Sequence, residues 1–149
     1  MSTPKASGTA LIQSQLKERL ETLRTELRQL EESKGSATKS SAGDKHETGR
    51  AMMERELVHI QGQIESARKQ LNELGQMPKS AMSKVAWGAL VRTNRGVYLL
   101  SVPMGRVKDA EEPLFAISAA SPLGQLLLGK EAGESVGFRG NNFEIIEVL

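Results

Sequence analysis

Apolar residues recur along the first half of the chain in two runs that have the spacing of a coiled coil. In the first run they follow one another at intervals of 4, 4, 3, 4 and 3 residues: Ile12, Leu16, Leu20, Leu23, Leu27 and Leu30. In the second run the intervals are 4, 3, 4, 3, 4 and 3: Met53, Leu57, Ile60, Ile64, Ala67, Leu71 and Leu74. Such intervals place the side chains on one face of an α-helix, so the pattern predicts two long helices, each with a heptad seam.

The segment between the two runs, ESKGSATKSSAGD, is short and polar and cannot extend either seam. Two helices of similar length joined in this way are expected to fold back as an antiparallel hairpin. The sequence therefore predicts a flexible N-terminus over residues 1–10 and a coiled-coil hairpin over residues 11–76, with its tip near residues 35–50. An intermolecular coiled coil is the open alternative.

Beyond Pro78 the hydrophobic period changes from that of a helix to that of strands. In residues 85–91, apolar side chains alternate with smaller or polar ones, which predicts a strand. The segment TNRG predicts a turn, and VYLLSV predicts a second strand. LFAIS, SVGF and FEIIEV predict further short strands. Ser121 as N-cap, Pro122 at the first helical position and Gly129 as the stop predict one short helix, whose leucines 126–128 are expected in the core. Residues 78–149 are thus expected to form a small, mainly antiparallel α+β domain.

Composition excludes several classes of function. The chain has 149 residues, no cysteine, two histidines, 3% aromatic residues and a net charge of +2. The absence of cysteine excludes a disulfide framework, thiolate metal sites and a cysteine nucleophile. No glycine-rich nucleotide loop, secretory signal or long apolar span is present. We therefore expect a cytoplasmic protein that does not associate with membranes. We also expect it to be a monomer.

The small net charge conceals a segregation along the second half of the chain. Residues 78–108 hold six basic and no acidic side chains, whereas residues 109–149 hold seven acidic and two basic ones. Separated patches of this kind can steer docking onto a charged partner, provided that the fold does not interleave them.

Two carboxylates at the predicted tip are the strongest candidates for chemistry. Asp44 and Glu47 stand three residues apart where the second helix is expected to begin. This spacing is typical of a capping box, in which both side chains bond backbone N–H groups. It also places two carboxylates one turn apart, where they can hold part of the shell of a hard cation such as Mg2+. Spacing alone favours the cap and leaves both interpretations open.

Basic side chains surround this pair. Lys39, Lys45 and Arg50 are candidates for contacts with RNA phosphates, and His46 is a further neighbour. Isolated lysines at a loop are more often only solubilising. His59, which lies between two seam residues of the second helix, is expected to be solvated.

At two places the sequence resembles the bacterial Gre family of transcript-cleavage factors. The segment GDKHETGRA, residues 43–51, is similar to the family's tip motif GD-x-x-EN-A-E-Y, which joins the two helices of a coiled-coil finger. The segment ISAASPLGQLLLGKEAGESV, residues 117–136, resembles the family's C-terminal pattern of Ile-Ser, Ser-Pro-Leu, a short helix and Leu-x-Gly-Lys. Together with the heptads, the resemblance covers nearly all of the chain after residue 10.

The resemblance implies a fold and a function. The C-terminal domain would have the FKBP-like fold of the family and bind RNA polymerase, with Ser118, Ser121, Pro122 and Leu123 as candidates for the docking loop. The hairpin would enter the polymerase's secondary channel, where Asp44 and Glu47 would help to hold a Mg2+ ion shared with the polymerase. The polymerase would then cleave its backtracked RNA near the 3′ end. The protein would stimulate an enzyme without being one.

The tip departs from the family pattern after the second carboxylate. Where the family has Asn, Ala, Glu and Tyr, this chain has Thr48, Gly49, Arg50 and Ala51, so an acidic side chain is replaced by a basic one. Two alternatives therefore remain open. The first is a Gre-like regulator that inhibits or modulates RNA polymerase without cleavage. The second is a coiled-coil adaptor with no role at an active site.

Overall fold

The computed structural model describes residues 3–39 and 44–149, with the backbone alone for residues 36–39 and 44–47. The chain divides into two compact units. One, the domain unit, comprises Met1–Ser14 and Asn72–Leu149, and the other, the hairpin unit, comprises Gln15–Leu71. The two ends of the predicted hairpin thus group with the C-terminal domain, which differs from the division at residue 78.

Two long helices, α1 (Pro4–Lys39) and α2 (Asp44–Gln76), form the predicted hairpin. Within the hairpin unit, Leu20 and Leu23 of α1 pack with Ile60, Ile64 and Ala67 of α2. Lys34, late in α1, pairs with Glu54, early in α2, at 3.4 Å, so the helices are antiparallel. The heptad seams of α1 and α2 therefore pack against each other within one chain. His59 is exposed, as expected.

The first helix begins earlier than the sequence analysis places it. Residues 4–10, assigned above to a flexible N-terminus, are helical. Thr3 caps this helix, since its hydroxyl accepts the N–H of Ala6 at 3.0 Å, and Pro4 occupies the first helical position. Lys5 is buried and donates to the carbonyl oxygen of Ser80 at 2.8 Å. This long-range anchor ties down a segment that was predicted to be a flexible N-terminus.

The domain unit contains a six-stranded sheet, whose strands follow one another in space as β3-β4-β2-β1-β6-β5. The strands are β1 (Leu90–Thr93), β2 (Gly96–Leu100), β3 (Gly105–Arg106), β4 (Leu114–Ile117), β5 (Ser135–Phe138) and β6 (Asn141–Val148). β2 and β4 pair in parallel, and the other neighbouring strands pair antiparallel. With two long helices before it, this sheet confirms the predicted α+β fold class.

The alternating segment at residues 85–89 is not a strand, which corrects the sequence analysis. β1 begins only at Leu90. Gly88 has a φ of 94°, which turns the chain, and Val85 exchanges backbone hydrogen bonds with Lys130 and Gly129 instead of with a neighbouring strand. Val85 and Ala89 are nevertheless buried, so the alternation identified core positions but not the element that carries them.

One face of the sheet packs against the short helix α3 (Pro122–Leu127). Leu123 and Leu127 of α3 share a buried cluster with sheet residues such as Val91, Leu100 and Phe143. Leu127 is fully buried, but Leu126 is 40% exposed, so the expectation that residues 126–128 all lie in the core is wrong for Leu126. A helix of six residues can turn only part of its surface towards a sheet.

The opposite face of the sheet receives the first turns of α1. An added Cβ on Gly8 would lie 3.1 Å from a methyl carbon of Leu114 and 3.9 Å from one of Leu99, so the missing side chain lets the helix approach the sheet. Ile12, Leu74 and Met77 are buried in the same unit. The base of the hairpin is thereby part of the domain's own core.

The folded domain interleaves the charges that are segregated along the sequence. Arg92 of β1 bonds Glu112 and also Glu147, the latter at 3.2 Å, and the hydrogen bond with Glu112 is the main cause that raises the pKa of Arg92. Lys84 pairs with Glu131 at 3.8 Å. At these places the fold brings basic residues of 78–108 next to acidic residues of 109–149. Among the described residues, no helix is long and apolar enough to cross a membrane.

Candidate functional site at the hairpin tip

The first turn of α2 carries the predicted carboxylate pair. α2 begins at Asp44, and Glu47 follows within the same turn, so the backbone agrees with the predicted helix start. On a helix, positions three apart lie side by side on the surface. The side chains of Asp44 and Glu47 lie outside the described part of the structure, as do those of Lys39, Lys45 and His46. Their roles in binding metal or RNA stay predictions.

An ion-paired cluster joins the two helices next to this turn. The carboxylate of Glu54 lies 3.4 Å from Lys34 of α1 and 3.5 Å from Arg50 of α2. We call these three residues the tip clasp. All three side chains are at least 31% exposed, so the clasp contributes little to stability. It connects the last turns of α1 to the first turns of α2, which carry Asp44 and Glu47.

The clasp changes the interpretation of Arg50. The sequence analysis took Arg50 as a candidate for RNA contact, and in the structure its guanidinium group is paired with Glu54. This pairing offsets the charge that Arg50 introduces where the resemblance places an acidic residue. The i,i+4 spacing of Arg50 and Glu54 could have revealed the pair from the sequence. The contact of Lys34 across the hairpin could not have been found in this way.

The C-terminal candidates lie together at the start of α3. The hydroxyl of Ser121 accepts the N–H of Gly124 at 3.1 Å and donates to the carbonyl of Ser118 at 2.7 Å, which confirms the predicted N-cap. The hydroxyl of Ser118 accepts the N–H of Ala120 at 3.1 Å. Leu123 is buried and Pro122 is exposed. A rigid turn thus presents Pro122 to solvent, and Ser118, Ser121 and Leu123 hold that turn in place.

Leu126 extends this surface, and sequence reasoning missed it. Its side chain is among the large apolar side chains that remain exposed, and it lies one helical turn beyond Pro122. The turn itself is crowded, since a Cβ on Gly124 would lie 2.3 Å from the carbonyl oxygen of Ser118. The geometry therefore offers a rigid, small apolar surface at the start of α3.

The donor set at the tip fits only part of a magnesium shell. Among the residues whose side chains the structure describes, no group of three His, Asp or Glu could hold a metal ion. Asp44 and Glu47 would supply at most two carboxylates. Because Mg2+ requires six oxygen ligands, this pair suits an ion whose other ligands come from a partner, its substrate or water.

Comparison with known proteins gives the following findings. No protein-family model matches the chain, and no curated protein is similar enough to match it. The structure of the GreA factor homolog 1 (Gfh1) protein of Thermus thermophilus aligns with 92% of this chain and 94% of that chain, at 20% identity and a TM-score of 0.36. A structure of the transcription factor Gfh1 aligns with 91% and 92%, at 20% identity and a TM-score of 0.35.

TM-scores this low carry no argument about individual residues or about function. The fold rests on the elements described above. Those elements stand in the order that the sequence resemblance implies, with two long antiparallel helices followed by a small α+β domain. The predicted arrangement, a hairpin of two long helices followed by a small α+β domain, is confirmed.

Proposed function

We propose that this protein is a transcription elongation factor that binds RNA polymerase and stimulates cleavage of backtracked RNA. The observation that carries the proposal is the position of Asp44 and Glu47, which occupy the first turn of α2. The surrounding residues 43–51 resemble the Gre tip motif. A carboxylate pair at the end of a two-helix hairpin suits delivery into a site that another macromolecule provides.

The length of the hairpin helices supports this use. α2 has 33 residues, so at 1.5 Å per residue it is about 50 Å long. An unbroken helix of this length can carry its first turn deep into a narrow channel. A buried seam holds α1 and α2 together within the hairpin unit; it consists of Leu20, Leu23, Ile60, Ile64 and Ala67.

The chemistry that we assign to the chain is limited to its own side chains. Asp44 and Glu47 would supply oxygen ligands and orient a water molecule towards the RNA phosphate. A Mg2+ ion bound jointly with the polymerase would stabilise the charge that develops on the attacking and leaving oxygens. The remaining ligands and the active centre would belong to the polymerase, so this protein would not itself be the enzyme. Lys39, Lys45 and Arg50 would lie near the RNA.

The docking surface would be the start of α3. The exposed ring of Pro122, supported by Ser118, Ser121 and Leu123 and extended by Leu126, would contact the rim of the secondary channel. Because the N-cap hydrogen bonds hold this turn in one conformation, little entropy would be lost on binding. This arrangement fits a monomer that acts in the cytoplasm, where bacterial transcription takes place.

The test uses halted, backtracked elongation complexes with 3′-labelled RNA and magnesium. Adding the purified protein should release short 3′ RNA fragments and restore extension when nucleotides are supplied. Binding to the polymerase is measured in parallel by fluorescence anisotropy. Binding without any release of fragments would contradict cleavage stimulation.

A second candidate function is inhibition of the polymerase without cleavage. The tip clasp favours this reading, because Arg50 replaces an acidic residue of the Gre pattern and is bound to Glu54. A tip held in this way could occupy the channel without placing Asp44 and Glu47 for catalysis. An inhibitor would slow nucleotide addition by elongation complexes that are not backtracked, whereas a cleavage factor would leave that rate nearly unchanged.

A further inference from the structure

The domain unit has a groove that is separate from the residues proposed for RNA cleavage and for docking. It lies between the first turns of α1 and the sheet, and its volume is about 610 Å³. Leu11 of α1, Val97 of β2 and Leu114 of β4 give it an apolar lining, and residues 109–112 form one side. It does not include the start of α3. We call it the acidic groove.

The charge of the acidic groove has one sign. Its lining contains the carboxylates of Asp109, Glu111 and Glu112 and no Lys or Arg side chain. Arg92, which is outside the lining, bonds Glu112 and so offsets one of the three charges. Asp109 and Glu111 are exposed. The groove therefore presents negative charge beside an apolar strip.

Apart from Pro4 and Leu11, the wall that α1 contributes is made of small residues. Ala6, Ser7 and Ala10 are exposed along it, and the missing side chain of Gly8 leaves room for the helix to lie close to Leu114. Small side chains allow the backbone of a bound segment to come close. The volume lies within the range of small-molecule pockets, so the groove has room for side chains of a bound segment.

The negative charge and the apolar lining of the acidic groove indicate which kind of partner can bind there. Phosphate groups would be repelled by the carboxylates, so RNA and DNA are poor occupants. An apolar side chain next to Lys or Arg would satisfy both parts of the groove, with the apolar group on the leucine and valine lining and the cation beside Asp109 and Glu111.

We propose that the acidic groove is a second docking surface, which binds a segment of RNA polymerase that carries an apolar residue next to Lys or Arg. This inference rests on the proposed function for the identity of the partner. A contact here would add to the contact at the start of α3, and two linked contacts bind more tightly than either alone.

Two variants test the two properties of the acidic groove, its open volume and its negative charge. Ser7→Trp fills it and Glu111→Lys reverses part of its charge. Each should weaken binding to core RNA polymerase by about tenfold, and the charge variant should lose the salt dependence that Glu111 confers. The matched controls are Ser14→Trp, two turns further along the same face of α1 and outside the lining, and Glu144→Lys, an exposed residue of β6. Both controls should bind like the wild type.

The outcomes separate this inference from the proposed function. If the wild-type protein does not bind RNA polymerase, the proposed function fails and the inference fails with it. If the wild type binds and both groove variants bind equally well while remaining folded by circular dichroism, only the inference is overturned. At saturating concentration the groove variants should still support RNA cleavage, because the tip is unchanged.

A crosslinking measurement identifies the occupant directly. A photoreactive benzoylphenylalanine at Ser7 should crosslink, in the complex, to a polymerase peptide that contains Lys or Arg beside an apolar residue. Crosslinks to RNA, to DNA or to a second copy of this chain would overturn the proposal. So would a polymerase peptide that is acidic.

Discussion

The hairpin unit and the domain unit achieve burial in different ways. In the hairpin unit, the buried seam residues range from 2% exposed, for Leu16 and Ala67, to 9%, for Leu57. In the domain, Leu99, Leu100 and Leu127 are completely buried. Two helices can cover each other on one face only, whereas a sheet with α3 on one face and α1 on the other excludes water from both.

The exposure of the seam residues also changes along α1. Along α1 the seam residues become more exposed from Ile12, at 0%, through Leu16, at 2%, to Leu20, at 7%, and Leu27 and Leu30 are only partly buried. The part of the hairpin that belongs to the domain unit is thus the best packed. We therefore expect a truncation in the domain core to cost more stability than a truncation in the hairpin seam.

Truncation in the domain core should have the largest effect. Leu127→Ala removes a fully buried side chain from the cluster around α3, so we expect a loss of about 3 kcal/mol in the free energy of unfolding. Urea unfolding followed by the fluorescence of Trp87, the only tryptophan, measures it. If Leu127→Ala lowers the free energy of unfolding no more than a substitution in the hairpin seam does, the domain core is not better packed than the seam.

Truncation in the hairpin seam should cost less. Ile60→Ala should lower the free energy of unfolding by about 2 kcal/mol, because the seam is narrow and can partly close around the missing atoms. The helical circular dichroism signal at 222 nm should be lost at lower urea than the Trp87 signal. Coincident shifts of both signals would mean that the two units unfold as one.

Removing the cap of α3 should have a smaller and local effect. Ser121→Ala deletes the side chain that accepts the N–H of Gly124, and we expect a loss of about 1 kcal/mol. Ser121→Asn, which can also cap a helix, should restore most of it. The same two variants should change polymerase affinity in parallel if the rigid turn is the docking surface. Ser121→Ala with unchanged polymerase affinity would separate the cap from docking.

Breaking the tip clasp should have the smallest effect on stability. Glu54→Gln removes the carboxylate shared by Lys34 and Arg50, and exposed pairs of this kind contribute about 0.5 kcal/mol. The difference from the wild type should vanish at 1 M salt. Glu56→Gln, an exposed acid two positions further along α2, serves as the control. A loss comparable with that of Ile60→Ala would show that the clasp, and not the seam, holds the tip.

Local signals explain how much of the fold the sequence predicts. Heptad spacing identified both long helices, and the Ser121-Pro122 cap and the glycine stop identified α3. The Thr3-Pro4 start of α1 was also present in the sequence, although residues 1–10 were predicted to be a flexible N-terminus. What ordered that segment is the contact of Lys5 with Ser80, which is 75 residues away.

Long-range pairing explains what could not be predicted. The parallel register of β2 with β4 depends on the crossover between them, and the turn at Gly88 interrupts an alternation that reads as a strand. Likewise Arg92 meets Glu112 and Glu147 only after the sheet has formed. For the candidate site, spacing predicted that α2 begins at Asp44, but the bridge from Lys34 to Glu54 requires the folded hairpin.

The most direct measurement of the central proposal compares RNA cleavage by two double variants of the hairpin. Asp44→Asn with Glu47→Gln removes the proposed metal-binding carboxylates, and Glu31→Gln with Glu32→Gln removes two exposed carboxylates of α1 as a matched control. The first variant should bind RNA polymerase with wild-type affinity and release no 3′ RNA fragments, whereas the control should cleave like the wild type. Undiminished cleavage by the first variant would contradict the proposal and leave Asp44 and Glu47 as no more than a helix cap.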